Sequence, residues 1–232
     1  MCVAGIDVDS SKWVRLYPIQ FRDLAEEKRF AKYSIIEAQT KSSTNDHRPE
    51  SLHINSDSIN VIERLDTKNG WQRRKSIVLP TLSESFCAIL RQQQDKDLSL
   101  GAFRPMVDDF TWEKASLKDE DKRKSCYAQT SFLNATKTAL EPLPYNFRYT
   151  FRCATEPKCP GHDLMIIDWE LSTAFYKWRT QYPDVLTRLS KIKQRWLSDL
   201  CSERNDTVFF VGNVKRFRET FMALGVFYPP KS

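Results

Sequence analysis

The sequence predicts an α+β fold in which β-rich material comes first and helices follow. Three observations predict it. Short runs rich in β-branched and aromatic residues, each bounded by Asp, Ser, Asn, Gly or Pro, fill the first third of the chain. Apolar residues recur at helical spacing between 169 and 203, and two apolar β runs close the chain at 207–211 and 221–227. With 41% hydrophobic residues among 232, the chain can build a substantial core, which excludes wholesale disorder.

In order along the chain, 2–6, 13–17, 34–40 and 59–65 read as strands, with 42–46 a polar loop and Asn69-Gly70 a turn. Several short strands joined by turns suggest a small barrel or sandwich. Around 83–97 the pattern becomes helical: Ser83 and Glu84 follow Pro80, and Phe86, Cys87, Ile89 and Leu90 give an apolar face. Residues 98–115 return to strand character, and the charged stretch 118–124 reads as an exposed loop or short helix. Residues 145–151 alternate aromatic and polar side chains, a half-buried strand. The helix expected over 184–203 starts at Pro183-Asp184 and carries Val185, Leu189, Ile192, Trp196 and Leu200 on one face. The run 169–182, with Leu171, Ala174, Phe175 and Trp178, makes it a helix pair, and the closing β runs make a C-terminal hairpin. A boundary is expected at 150, between a β-rich module over 1–150 and a Cys/His segment with the helix pair and hairpin over 151–232.

Charge is uneven. The net +6 lies entirely in residues 116–232, which hold 19 basic and 13 acidic side chains, whereas 1–115 hold 17 of each. A basic half attracts phosphate backbones by releasing counterions, although the same excess also serves as ordinary surface solvation. No run approaches about 18 uninterrupted apolar residues, the length of a membrane helix. The N-terminus lacks a basic leader, so a soluble, cytoplasmic protein with reduced cysteines is expected.

The sharpest chemical pattern is Cys153-x5-Cys159-x2-His162. Two thiolates and an imidazole within ten residues suit tetrahedral zinc, and Pro157 and Pro160-Gly161 can turn the chain so that they converge. Cys126, Cys201 or Asp168 can supply the fourth donor, and Asp168 stands with the other three as the metal set. An open fourth position would instead hold water. Asp168 also sits where it can cap the following helix. No phosphate loop, G-x-G-x-x-G or G-x-S-x-G occurs, and only His47, His53 and His162 are available to a His-based triad. An NTPase, dehydrogenase or serine hydrolase is thereby disfavoured.

Cys2-Val3-Ala4-Gly5-Ile6, then Trp13-Val14-Arg15-Leu16-Tyr17-Pro18, resemble the opening of dual-OB domain proteins of bacterial anti-phage and other conflict systems. Arg48-Pro49-Glu50-Ser51, Gly70-Trp71-Gln72-Arg73-Arg74 and Ser99-Leu100-Gly101 look like further parts of that pattern. The likeness covers roughly residues 1–150, and Leu16-Tyr17 before Pro18 departs from it. It implies OB-like barrels that bind single strands by stacking bases on aromatic rings within a basic groove, as an accessory subunit beside other proteins of a defence complex.

Expected nucleic-acid contacts are Trp13, Arg15, Tyr17, Arg48, Trp71, Arg73 and Arg74 in the first half. In the second they are Arg188, Lys191, Arg195, Lys215, Arg216 and Arg218. The alternatives are a metal-dependent nuclease or hydrolase, with Asp168 or Glu170 as base, and a structural subunit that binds protein through the helix pair.

Overall fold

The computed structural model describes residues 2–21, 23–116 and 143–231. Arg22, the charged stretch 118–124 and Cys126 lie outside the described residues. The fold is mixed α+β with strands predominating, as the sequence predicts.

Residues up to 80 carry two small open sheets. β1 (Val3–Asp7), β2 (Lys12–Leu16), β4 (Thr40–Ser42) and β5 (Ser51–Ile54) lie in the order β1-β2-β5-β4. β3 (Ser34–Glu37) pairs antiparallel with β6 (Asn60–Arg64). Leu16, Ile19, Leu24, Ile54 and Ile59 pack between them. No closed barrel forms among the described residues, which corrects the expectation for this part of the chain. The β2–β5 pairing is parallel and spans only Arg15–Ser51 and Leu16–Leu52, and no strand of the second sheet pairs with the first.

α1 (Lys68–Val78) opens with a left-handed turn, with φ of 50°, 63° and 65° at Asn69, Gly70 and Trp71. Such backbone costs roughly 1–2 kcal/mol per non-glycine residue, so tertiary contacts must hold Trp71 there. Its ring packs on Phe227 at 5.6 Å and Tyr228 at 4.9 Å, which fixes the turn against the C-terminus. The sequence predicted only the turn. The helix behind it, rich in Arg, Lys and Gln, lacks an apolar stripe that would announce it.

α2 (Phe86–Lys96) is capped by Ser85, whose Oγ accepts the Ala88 N–H at 2.9 Å. β7 (Leu100–Phe103), β8 (Pro105–Lys114), β9 (Tyr145–Cys153) and β10 (His162–Met165) follow. Next come α3 (Trp169–Lys177) and α4 (Val185–Lys193), the latter running into a π-helical turn (Gln194–Asp199). β11 (Val208–Val214) and β12 (Phe217–Phe227) form the expected antiparallel hairpin. The strands make two open three-stranded sheets, β10-β9-β8 and β12-β11-β7.

The two sheets meet at both ends. β7 and β8 are separated by Arg104 alone, and a single parallel bridge joins Ile166 to Ala223 beyond β10. Phe103, Phe147, Tyr149, Phe151 and Phe209 are fully buried between the sheets, and Leu189 and Ile192 of α4 are buried with them.

Burial also sets where side chains cannot grow. A Cβ on Gly212 would come within 2.9 Å of both Leu100 Cδ2 and Leu224 Cδ1, and 3.4 Å of the Ser99 carbonyl. Leu100 is itself buried, so it has little room to yield. Gly212→Ala is therefore expected to cost about 1–3 kcal/mol of overpacking, read as a lower denaturation midpoint. An unchanged midpoint would mean that this corner of the core is loose.

Candidate metal centre

β9 ends at Cys153, and β10 begins at His162, so the connecting loop returns the chain antiparallel, pairing His162 with Phe151. Within that loop, Cys159 Sγ accepts the Cys153 backbone N–H at 3.3 Å, folding the second thiol back over the first. His162 is wedged between the rings of Phe86 at 4.8 Å and Phe151 at 5.2 Å. That packing turns its Nε2 toward two sulfurs, Cys159 Sγ at 3.2 Å and Cys87 Sγ at 3.3 Å.

Cys87 is the member the sequence analysis missed. It lies in the first turn of α2, 66 residues before Cys153, and its sulfur is 3.9 Å from Cys153 Sγ. The ligand atoms of Cys87, Cys153, Cys159 and His162 all lie within 4.8 Å of one another, close enough to share one metal ion. Cys87 stood in the sequence as an isolated apolar-face residue, with no local sign that it joins the cluster.

The electrostatics fit a metal more readily than a bare thiol cluster. Burial, and then the adjacent thiols, push the Cys87 pKa up to about 12. Burial acts the same way on Cys159, but the backbone N–H groups of Cys153 and Gly161 outweigh it and hold its pKa below the ordinary value. Burial lowers the His162 pKa, favouring the neutral ring that ligates. A divalent cation at the centre would stabilise every thiolate at once.

The other candidates for a fourth ligand lie elsewhere. Asp168 is buried at the head of α3, where its Oδ1 accepts the Glu170 N–H at 2.9 Å, so it caps the helix and does not join the cluster. Cys201 donates to the Trp196 carbonyl at 3.3 Å, and burial pushes its pKa up to about 12. Glu170 pairs with Lys32 at 2.7 Å.

Most of the expected nucleic-acid contacts are occupied inside the protein. Arg15 is buried and donates to Ser99 Oγ at 2.9 Å and to the Ser99 carbonyl at 3.1 Å. Arg48 is buried between Asp46, at 2.6 Å, and the Asn213 carbonyl, at 2.9 Å. Arg73 forks onto Glu63, and Arg74 is buried on the Leu65 carbonyl with its guanidinium over Tyr33 and Trp71. Arg188 was expected to contact nucleic acid with Lys191 and Arg195. It is instead buried, donating to the Tyr182 and Pro183 carbonyls at 3.1 Å each, because a guanidinium can satisfy the free carbonyls beyond α3.

Lys191 reaches Gln194, Arg195 reaches Asp199 and Tyr228, and Arg218 reaches Asp97. Lys215 donates to the Asn45 carbonyl, and Arg216 lies over Phe217. Trp13 packs on Phe210, while Tyr17 is exposed.

Arg48 and Glu50 thus do structural work at the junction of the two halves. The Glu50 carboxylate accepts the Ser99 N–H at 2.6 Å, the Leu100 N–H at 3.2 Å and the Ser99 hydroxyl at 2.9 Å.

Fold and cluster together define a mixed α+β protein with a Cys3His site able to hold a metal. The chain belongs to the family described as a domain of unknown function (DUF8757), which matches residues 82–232. A second domain of unknown function (DUF8758) matches residues 1–80. The matches part at residue 81, whereas position 150 falls within β9. No curated protein and no solved structure matches the chain. No helix among the described residues is long and apolar enough to cross a membrane.

Proposed function

We propose that this chain is a nucleic-acid-binding accessory module whose C-terminal unit is an OB-like arrangement braced by structural zinc. The observation that carries the reading is strand connectivity in residues 100–227. Taking β7 and β8 as one bent first strand, neighbours run first, second, third, fifth, fourth and back to the first. The third and fifth are parallel where they touch, and a helical insertion separates the third from the fourth. That is the path of a partly open OB barrel, a fold used to hold single strands. By fold-level analogy this path supports an OB-like arrangement over 100–227, later in the chain than the residues that carry the sequence resemblance. The resemblance to conflict-system proteins supports a role beside other subunits of a defence complex.

Zinc is the metal favoured by three thiolates and an imidazole. Bonds of about 2.3 Å to sulfur and about 2.0 Å to nitrogen give tetrahedral edges of roughly 3.5–3.8 Å, beside 3.2 and 3.3 Å from His162 Nε2 to the Cys159 and Cys87 sulfurs and 3.9 Å between the Cys87 and Cys153 sulfurs. Four protein donors complete a tetrahedron and leave no position for a reacting water, which favours a structural ion over the nuclease or hydrolase alternative.

Binding of a labelled single strand to the full chain, followed by fluorescence anisotropy, tests the reading. A protein that neutralises about four phosphates should lose roughly 50-fold in affinity when salt rises fourfold from 50 mM. Equal affinity at both salt concentrations, or no binding at the lower one, would overturn it.

A further inference from the structure

A cavity of about 230 Å³ lies at the seam between the two matched families, away from the metal centre. Three aromatic rings, Tyr33, Trp71 and Tyr228, and three cations, Lys32, Arg64 and Arg74, line it together with Glu170. Glu170 is committed to Lys32 at 2.7 Å, so two guanidinium charges remain without a carboxylate in the cavity. Arg74 is buried, and among the described residues its guanidinium donates only to the Leu65 carbonyl. Arg64 is exposed, and its guanidinium has no partner among the described residues. Burial first, and the neighbouring Arg64 charge with it, lower the Arg74 pKa against the weaker pull of Asp66, a carboxylate that is not among the residues lining the cavity.

The aromatic walls are held at a conformational cost. Tyr33 and Trp71 both have φ of 65°, a left-handed backbone that bulky residues rarely adopt. The Tyr33 hydroxyl is buried and has no hydrogen-bond partner among the described residues, an orphan that a ligand oxygen or nitrogen would satisfy. Rings around a cavity can also form a cage for an alkylammonium ion. Here Arg74 already sits over Tyr33 at 4.3 Å and Trp71 at 4.9 Å, so the protein's own cation fills that role and the remaining demand is for an anion.

We infer that this cleft is a nucleotide site, with a base against Trp71 and Tyr228 and its phosphate on Arg64. The inference deepens the nucleic-acid reading above and rests on it for the class of ligand. The cavity is smaller than the roughly 300–1,000 Å³ of typical ligand pockets, so it takes the base and leaves the phosphate at its exposed side with Arg64, whether the nucleotide is free or one unit of a strand. Base–aromatic stacking and charge-assisted bonds to phosphate together supply both halves of that recognition.

Calorimetric titration of the full chain tests it with AMP, CMP, GMP and UMP singly, their nucleosides, inorganic phosphate and a ten-nucleotide single strand. Arg64→Gln and Tyr228→Leu are compared with the parent, and thermal midpoint and zinc content serve as folding controls. At least one monophosphate, or the strand, should bind the parent and weaken at least tenfold in Arg64→Gln with both controls unchanged. The nucleosides and inorganic phosphate should each bind at least tenfold more weakly than the favoured probe. Loss with a monophosphate identifies a free nucleotide as a ligand; loss confined to the strand identifies a unit of a polymer. A strand that binds parent and Arg64→Gln equally, with no monophosphate bound, overturns the cleft assignment and leaves the nucleic-acid reading standing. If no probe binds, both fail. Nucleoside or phosphate binding as tight as the monophosphate also overturns the cleft assignment.

Discussion

Cys87→Ser is expected to abolish stoichiometric zinc binding and to lower the thermal midpoint by roughly 8–16 °C. The figure follows from mass action: a ligand at a thousand times its Kd stabilises the native state by about 4.1 kcal/mol. For a chain of this size each kcal/mol moves the midpoint by roughly 2–4 °C. Cys87 is the donor that matters most for architecture, because it alone comes from α2, while Cys153, Cys159 and His162 come from one hairpin. Without it the hairpin would retain three donors, but a metal held there would no longer pin the helix to the sheet.

A chelator added to the parent should reproduce the shift and leave Cys87→Ser unaffected. Cys2→Ser, at an exposed thiol outside the cluster, should keep its zinc and nearly all of its stability. Plasma emission spectrometry and calorimetry read both quantities. Full zinc content in Cys87→Ser would remove α2 from the site.

Glu50→Gln is expected to cost about 2–4 kcal/mol of stability. Glu50 is 8% exposed, and its carboxylate accepts two backbone N–H groups and one hydroxyl from Ser99 and Leu100. Each hydrogen bond to a charged group contributes roughly 1.5–3 kcal/mol, and a buried donor left unsatisfied costs about 1–3 kcal/mol. Glutamine keeps the shape but offers one acceptor oxygen and turns an NH2 toward groups that are themselves donors.

The loss would be felt at the junction of the halves, since Arg15 meets the same serine from the other side. Zinc content should be unchanged, which separates this effect from loss of the metal centre. A denaturation midpoint within about 0.5 kcal/mol of the parent would show that the junction does not depend on this carboxylate.

The helix pair, the C-terminal hairpin and the aromatic strand over 145–151 were legible because their hydrophobic periodicity reflects local geometry. Leu189 and Ile192 on α4, and Phe147, Tyr149 and Phe151 on β9, all face the core as their spacing implies. α1 was not legible, because its opening left-handed turn is held by Phe227 and Tyr228, more than 150 residues away.

The candidate metal centre was half legible for the same reason. Its hairpin donors are neighbours in sequence, but Cys87 meets them only through tertiary packing of α2. The arginines misled because sequence cannot distinguish a solvated cation from one that satisfies buried carbonyls. Arg15, Arg48, Arg74 and Arg188 are of the second kind. The short Arg48-Pro49-Glu50-Ser51 motif marks a buried junction and not an outer groove.

X-ray absorption at the zinc edge of the purified full chain tests the central claim most directly. A closed site of Cys87, Cys153, Cys159 and His162 predicts three sulfur scatterers at about 2.3 Å and one nitrogen at about 2.0–2.1 Å. A first shell of oxygen and nitrogen alone, or one with two sulfurs and a water, would contradict it.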